Sequence, residues 1–185
     1  MSAHRIILDE LRGGDRRSIG RSNQVVGLVR RTPTLFPALI DGMQHADELV
    51  RMRAADAAEK LTVTNPEWLR PFKAQLIKLA TETKQQELKW HLAQILPRLE
   101  LSRRDRVMVA AVFRRYLKDQ GCIVKTFAMQ GLADLAMQDH RLLPGTRRTI
   151  SSLMRTGSPS MKSRGRRLLH QLDTLILPHP APVFK

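Results

Sequence analysis

Val50-Arg51-Met52-Arg53-Ala54-Ala55-Asp56-Ala57-Ala58-Glu59-Lys60-Leu61 decides the fold, because the chain repeats its pattern three more times. The copies are L-K-W-H-L-A-Q-I-L-P-R-L from Leu88, V-K-T-F-A-M-Q-G-L-A-D-L from Val124 and M-K-S-R-G-R-R-L-L-H-Q-L from Met161. Their starts lie 38, 36 and 37 residues apart, and each copy opens with an apolar residue followed by a basic one and ends on Leu. A fixed period in the thirties is the mark of stacked helical pairs, since one pair alone cannot bury its apolar face.

At roughly 100° per residue, the first, fifth, eighth and twelfth positions of each copy share one arc. They are Val50, Ala54, Ala57, Leu61; Leu88, Leu92, Ile95, Leu99; Val124, Ala128, Gly131, Leu135; and Met161, Gly165, Leu168, Leu172. This arc is the expected core, and its small residues would let neighbouring helices approach closely. A helix start precedes each copy. Thr32-Pro33 and Asn65-Pro66-Glu67 place a capping side chain before a proline at the first helical position. Ser102 to Asp105 has the S-x-x-D spacing of a capping box. A fourth first helix runs from His140 or Gly145 to Arg155, and Gly157 ends it. The unit is therefore a helix, a tight turn and the marked second helix.

Ahead of these units, His4 to Arg12 can form a short amphipathic helix, broken by Gly13-Gly14-Asp15. Ile19, Val26 and Val29 then predict an opening helix over 16–30. At the other end Pro178, Pro180 and Pro182 favour an extended tail. The expected divisions are a lead (1–15), one solenoid domain (16–174) and a Pro-rich tail (175–185).

Asp47 to Leu61, reading D-E-L-V-R-M-R-A-A-D-A-A-E-K-L, closely resembles the second-helix signature of HEAT repeats, and the likeness extends over about residues 33 to 174. The resemblance implies an all-α, short right-handed α-solenoid of about four helix pairs plus an N-terminal helix, with the second helices lining the concave side. HEAT repeats often carry an acid three residues before the apolar–basic pair. Here those positions hold Asp47, Gln85, Gly121 and Ser158, so a regular Asp–Arg ladder is not expected.

Thirty-two Lys+Arg against 17 Asp+Glu give the 185-residue chain a net charge of +15, which points to anionic partners. Hydrophobic content of 42% with only 4% aromatics suits helix-on-helix packing. The lone Cys122 excludes an internal disulfide and fits a reducing cytosol, with a packing role expected for it. No apolar run approaches membrane-spanning length, so a cytoplasmic protein with no membrane partner is expected.

The second position of every copy is basic: Arg51, Lys89, Lys125 and Lys162. In a stack, equivalent residues recur about every 8–10 Å, which would lay four cations along one rim of the groove. The third position points away from the core and holds Met52, Trp90, Thr126 and Ser163. Trp90, between Lys89 and His91, has the chemistry of a stacking platform or a protein hot spot; the plainer expectation is that it folds onto an adjacent repeat or the N-terminal helix.

Charge along the groove floor is uneven, running from Asp56 and Glu59 to Arg164, Arg166, Arg167 and His170. Between His140 and Leu172 there are eight Lys or Arg and no Asp or Glu. The candidate binding residues are therefore Arg51, Lys89, Trp90, Lys125, Lys162, Arg164, Arg166, Arg167 and His170.

No phosphate-binding glycine loop, nucleophile elbow or zinc-ligand spacing occurs. No cofactor, metal or catalytic residue is expected. The reading is a non-enzymatic module that binds an acidic protein surface or nucleic acid. The alternative follows from likeness to HEAT-like DNA glycosylases that remove alkylated bases with a concave-face aromatic and an acid. Trp90 with Asp56 or Asp134 would imitate that arrangement.

Overall fold

The computed structural model describes residues 3–15 and 17–174, so the expected Pro-rich tail lies outside the described residues. Every regular element among them is helical, with no β-strand. The helices come in consecutive pairs. These are α1 (Ala3–Glu10) with α2 (Ser22–Arg31), α3 (Phe36–Gly42) with α4 (Glu48–Thr62), and α5 (Lys73–Glu82) with α6 (Gln86–Ile95). They continue with α7 (Arg103–Tyr116) and α8 (Cys122–Gln138), then α9 (Leu143–Thr156) and α10 (Pro159–Thr174).

Second helices pack in chain order, α2 on α4, α4 on α6, α6 on α8 and α8 on α10. The repeated stretch therefore does lay its helices side by side. All sixteen expected core positions are buried, and Val50, Leu61, Leu92, Val124, Leu135 and Leu172 have no exposed surface. Small residues act as foreseen: a methyl group on Gly131 would lie 2.6 Å from the Phe113 ring and 2.8 Å from the Ala93 carbonyl oxygen.

The N-terminal region departs from expectation. The short helix expected over 4–12 forms as α1, but it and α2 make a fifth pair in place of a lead and a lone cap, with α1 on α3 as α2 is on α4. Ile7 and Leu11 anchor α1 by complete burial. Ile19 is not on a helix: it is 42% exposed in the connection before α2. Gly20 explains the later start, since its φ of 53° is a left-handed conformation that interrupts a helix.

First helices also begin differently from the simplest expectation. Pro33–Leu35, Pro66–Phe72 and His140–Leu142 are 3-10 turns that lead into α3, α5 and α9. Thr32 and Asn65 make no side-chain cap. Pro71 has no N–H for an α-helical bond, so the α-helix starts only at Lys73. The capping box at Ser102 is present: its Oγ accepts from the Asp105 N–H at 3.2 Å, and Asp105 accepts from the Ser102 N–H at 3.1 Å. Asp47 caps α4 through the Leu49 N–H at 2.8 Å.

Two apolar clusters meet at α8. One runs from Ile7 to Leu135; the other joins Met129, Ala133 and Ala136 to Leu143, Ile150, Met161, Leu168 and Leu172. The last pair is thus held by its own smaller core.

Candidate functional site

The second position of the first two marked helices meets the next pair, and the corresponding contact changes along the stack, with no further pair after α10 among the described residues. Arg51 Nε donates to Gln85 Oε1 at 2.7 Å, and its Nη1 donates to the carbonyls of His45 and Ala46 at 2.8 and 2.9 Å. Gln85 donates back to the Glu48 carbonyl at 2.9 Å, closing a two-way clasp between α4 and α6. Lys89 pairs with Asp119 at 2.6 Å, joining α6 to the turn before α8. Burial opposes the charge on Asp119, but bonds from Lys89 and the Gly121 N–H outweigh it. The carboxyl is held below its ordinary 3.8. Two of the four expected groove cations therefore serve as internal fasteners. The missing Asp–Arg ladder is replaced by an amide at 85 and an acid displaced to 119.

At the third step nothing replaces it. The turn between α9 and α10 reads Thr156-Gly157-Ser158, with neither acid nor amide. The side chains of Lys125 and Lys162 make no ion pair or hydrogen bond among the described residues; Lys125 only adds to the field at Asp119. On α10, Arg166, Arg167 and His170 are exposed and likewise unpaired among the described residues. Arg164 differs: its Nη1 donates to Gln130 Oε1 at 2.8 Å, and its guanidinium sits 5.8 Å from the centre of the Phe127 ring.

Third-position residues do not all face solvent. Met52 and Thr126 are buried and Trp90 is half-buried, packed against the main core. The connection between α1 and α2 folds over Met52 and Trp90. A cavity of about 260 Å³ results, walled by Trp90, Met52 and Ile19 on its apolar side and by Asp56, Glu87 and His91 on its polar side. Asp56 accepts from Ser22 Oγ and from Lys60 Nζ at 2.6 Å. Burial pulls the His91 imidazole below its ordinary 6.5 despite the opposing fields of Asp56 and Glu59, and its Nδ1 has no partner.

One residue in this region was not singled out from the sequence. Arg53, 1% exposed, donates Nη1 to the Leu11 carbonyl at 2.8 Å and Gly13 carbonyl at 2.5 Å. It also donates Nη2 to Asp15 at 3.1 Å and Nε to Ser18 at 3.2 Å, again to backbone carbonyls. It is the post around which the connection is wound. Gly20 leaves room for it, since a Cβ there would lie 2.7 Å from the guanidinium carbon. The available signal was its fourth position in the copy, the side facing the preceding pair.

A second cavity, about 350 Å³, opens between α6 and α8 and is lined by Gln94, Pro97, Arg98, Gln130, Asp134 and Gln138. Burial raises the Asp134 carboxyl above its ordinary 3.8, against a hydrogen bond from Gln130 at 2.8 Å and the fields of Arg98 and Arg164. Of the two acids expected near Trp90, Asp56 shares its cavity and Asp134 does not.

Cys122 is exposed at the start of α8, so it has no packing role. Among the described residues no group of three or more His, Cys, Asp or Glu could hold a metal ion, and no helix is long and apolar enough to cross a membrane. No model of a known protein family, no curated protein and no solved structure matches the chain.

Proposed function

We propose that the chain is a right-handed, HEAT-like α-solenoid acting as a non-enzymatic binding module, which recognises an anionic macromolecule through its C-terminal end. The observation that carries this reading is the change in the cation row. Arg51 and Lys89 are bonded into the stack, whereas Lys125 and Lys162 are not. Exposed Arg166, Arg167 and His170 stand beside them on the last second helix. Charge that holds no helix in place costs solubility nothing and remains available to an anion.

The test is binding of labelled single- and double-stranded DNA and RNA, and of poly-glutamate, to the full chain over a salt series. Binding weakens steeply with salt, and on duplex the log–log slope approaches about −0.9 per neutralised phosphate. Absence of binding to every polyanion at low salt would contradict the reading.

A second reading is favoured by the shared cavity of Trp90 and Asp56: a HEAT-like DNA glycosylase acting on alkylated bases. An aromatic wall beside a carboxylate suits a cationic alkylated base. Base release from alkylated DNA is its assay, and Trp90→Ala must impair it.

A further inference from the structure

The first helices carry charge on the side turned away from the second helices. At roughly 100° per residue, α7 buries Val109, Val112, Phe113 and Tyr116 on one arc and exposes Arg104, Val107, Ala111 and Arg115 on the other. On α9, Thr146 and Ile150 are buried, and Pro144, Arg148, Ser152 and Arg155 are exposed at the same kind of spacing. Both helices pack on α8, and Asp139, in the turn before α9, pairs with Arg106 of α7 at 3.7 Å. A Cβ on Gly145 of α9 would lie 3.9 Å from the Arg114 side chain. The two exposed stripes therefore run side by side.

We propose that this outer face of α7 and α9 docks on an anionic phospholipid surface, with Val107 and Met108 entering the headgroup layer and the arginines holding lipid phosphates. The face shares no residue with the anion-binding end described above, so each stands or falls alone.

Its cations are uncompensated. Arg104, Arg114, Arg115, Lys118, Arg148 and Arg155 are all exposed, and none makes an ion pair among the described residues. The only acids from 103 to 156 are Asp105, Asp119, Asp134 and Asp139, and none of them is exposed. Lys73 holds Asp105 at 3.2 Å, Lys89 holds Asp119 at 2.6 Å and Arg141 holds Asp139 at 2.8 Å. Asp134 lies on the opposite side of the stack, in the cavity between α6 and α8.

The centre of the stripe is apolar, and that chooses the partner. Val107 and Met108 are 53% and 44% exposed, with Arg104 a turn before them and Arg115 two turns after. Met108 also borders a recess of about 330 Å³ against Ala74 and Ile77 of α5, whose rim carries Lys78 and Glu82. The phosphate backbone of a nucleic acid lies in water and offers such side chains no apolar contact. A bilayer interface offers headgroup charge to long arginines and an acyl boundary to the apolar tips between them. The charge is also spread in two dimensions. From Arg104 to Lys118 the chain rises about 21 Å at 1.5 Å per residue, and α9 lies roughly 8–10 Å to the side. A lattice of headgroups meets both rows together. No helix among the described residues is long and apolar enough to cross a membrane, and the docking is at the surface alone.

The full chain is sedimented with vesicles of phosphatidylserine and phosphatidylcholine in equal parts, and with vesicles of phosphatidylcholine alone. It is expected to pellet with the first and stay in solution with the second. Arg104→Glu with Arg148→Glu lowers vesicle affinity by about twentyfold or more, since one cation near the surface is worth about fivefold. Val107→Ser with Met108→Ser lowers it severalfold. Thermal midpoints stay unchanged, because all four side chains are exposed. A solvatochromic dye attached after Val107→Cys, in a Cys122→Ser background, shifts to shorter wavelength on the mixed vesicles.

Equal sedimentation with and without phosphatidylserine, or none with either, would overturn the proposal. Full vesicle binding by both double variants, or its loss only with Arg166→Glu, Arg167→Glu, would move the contact to the C-terminal end. Tighter binding of a DNA duplex or of poly-glutamate than of vesicles, lost in Arg104→Glu, Arg148→Glu, would overturn the choice of lipid.

Discussion

Arg53 Nη1 donates to the Leu11 carbonyl oxygen across 2.8 Å, joining two residues forty-two positions apart. Among the described residues this buried cation makes no ion pair with a carboxylate. Backbone carbonyls of Gly13, Asp15 and Ser18 complete its shell. Arg53→Met should therefore free the connection between α1 and α2 and cost about 1.5–3 kcal/mol, the range for hydrogen bonds to charged groups. Amide exchange should accelerate over residues 11–20 and stay unchanged in α6 and α8. Unaltered exchange in the connection would show that something other than Arg53 holds it.

Gly131 and Gly145 offer a paired packing test. Gly131→Ala would drive a methyl group against Phe113 and the Ala93 carbonyl, a backbone atom that cannot swing aside. Overpacking of this kind costs about 1–3 kcal/mol. At Gly145 the nearest atom to an added Cβ is 3.9 Å away, on the Arg114 side chain. Gly145→Ala, inside α9, should instead stabilise by about 0.5–1 kcal/mol. Urea midpoints of the two variants should move in opposite directions.

Acid should weaken the fold in two separate windows. Burial lowers the His91 pKa in the folded state, so as pH falls below 6.5 the unfolded chain gains a proton that the folded chain resists. Stability is thus complete above that value and declines below it. Asp105 and Asp119 are also depressed, and their contributions are lost only as pH falls below their ordinary 3.8. His91→Gln should flatten urea midpoints between pH 5 and 7, a span of about two units, and leave the lower window in place. An unchanged slope would remove His91 as the cause.

Arg164 should behave unlike its neighbours. Its bond to Gln130 and its place over Phe127 tie α10 to α8, so Arg164→Ala should lower stability by about 1 kcal/mol. Reversing exposed Arg166 and Arg167 to Glu should leave the thermal midpoint where it was, because solvated charges contribute little to folding.

The stack was legible because its cause is periodic: sixteen apolar or small residues at fixed positions can be buried only in helices laid side by side. Thr32, Asn65 and Ile19 were misread where local chemistry yielded to its neighbours. Prolines at 33, 66 and 71 favour 3-10 turns, and Gly20 delays α2. The candidate site was only partly legible, because pairing of cations depends on residues thirty or more positions away. Arg51 and Lys89 look like Lys125 and Lys162 in sequence, and only Gln85 and Asp119 tell them apart. Arg53 escaped notice because its partners are carbonyls, which every residue possesses.

The division of the cation row is tested most directly by changing its two halves separately and measuring both stability and polyanion affinity. Arg51→Gln with Lys89→Gln should lower the urea midpoint and leave salt-sensitive binding of poly-glutamate intact. Lys125→Gln with Lys162→Gln should leave the midpoint intact and weaken binding severalfold. Equal loss of affinity from both double variants, or from the first alone, would contradict the account.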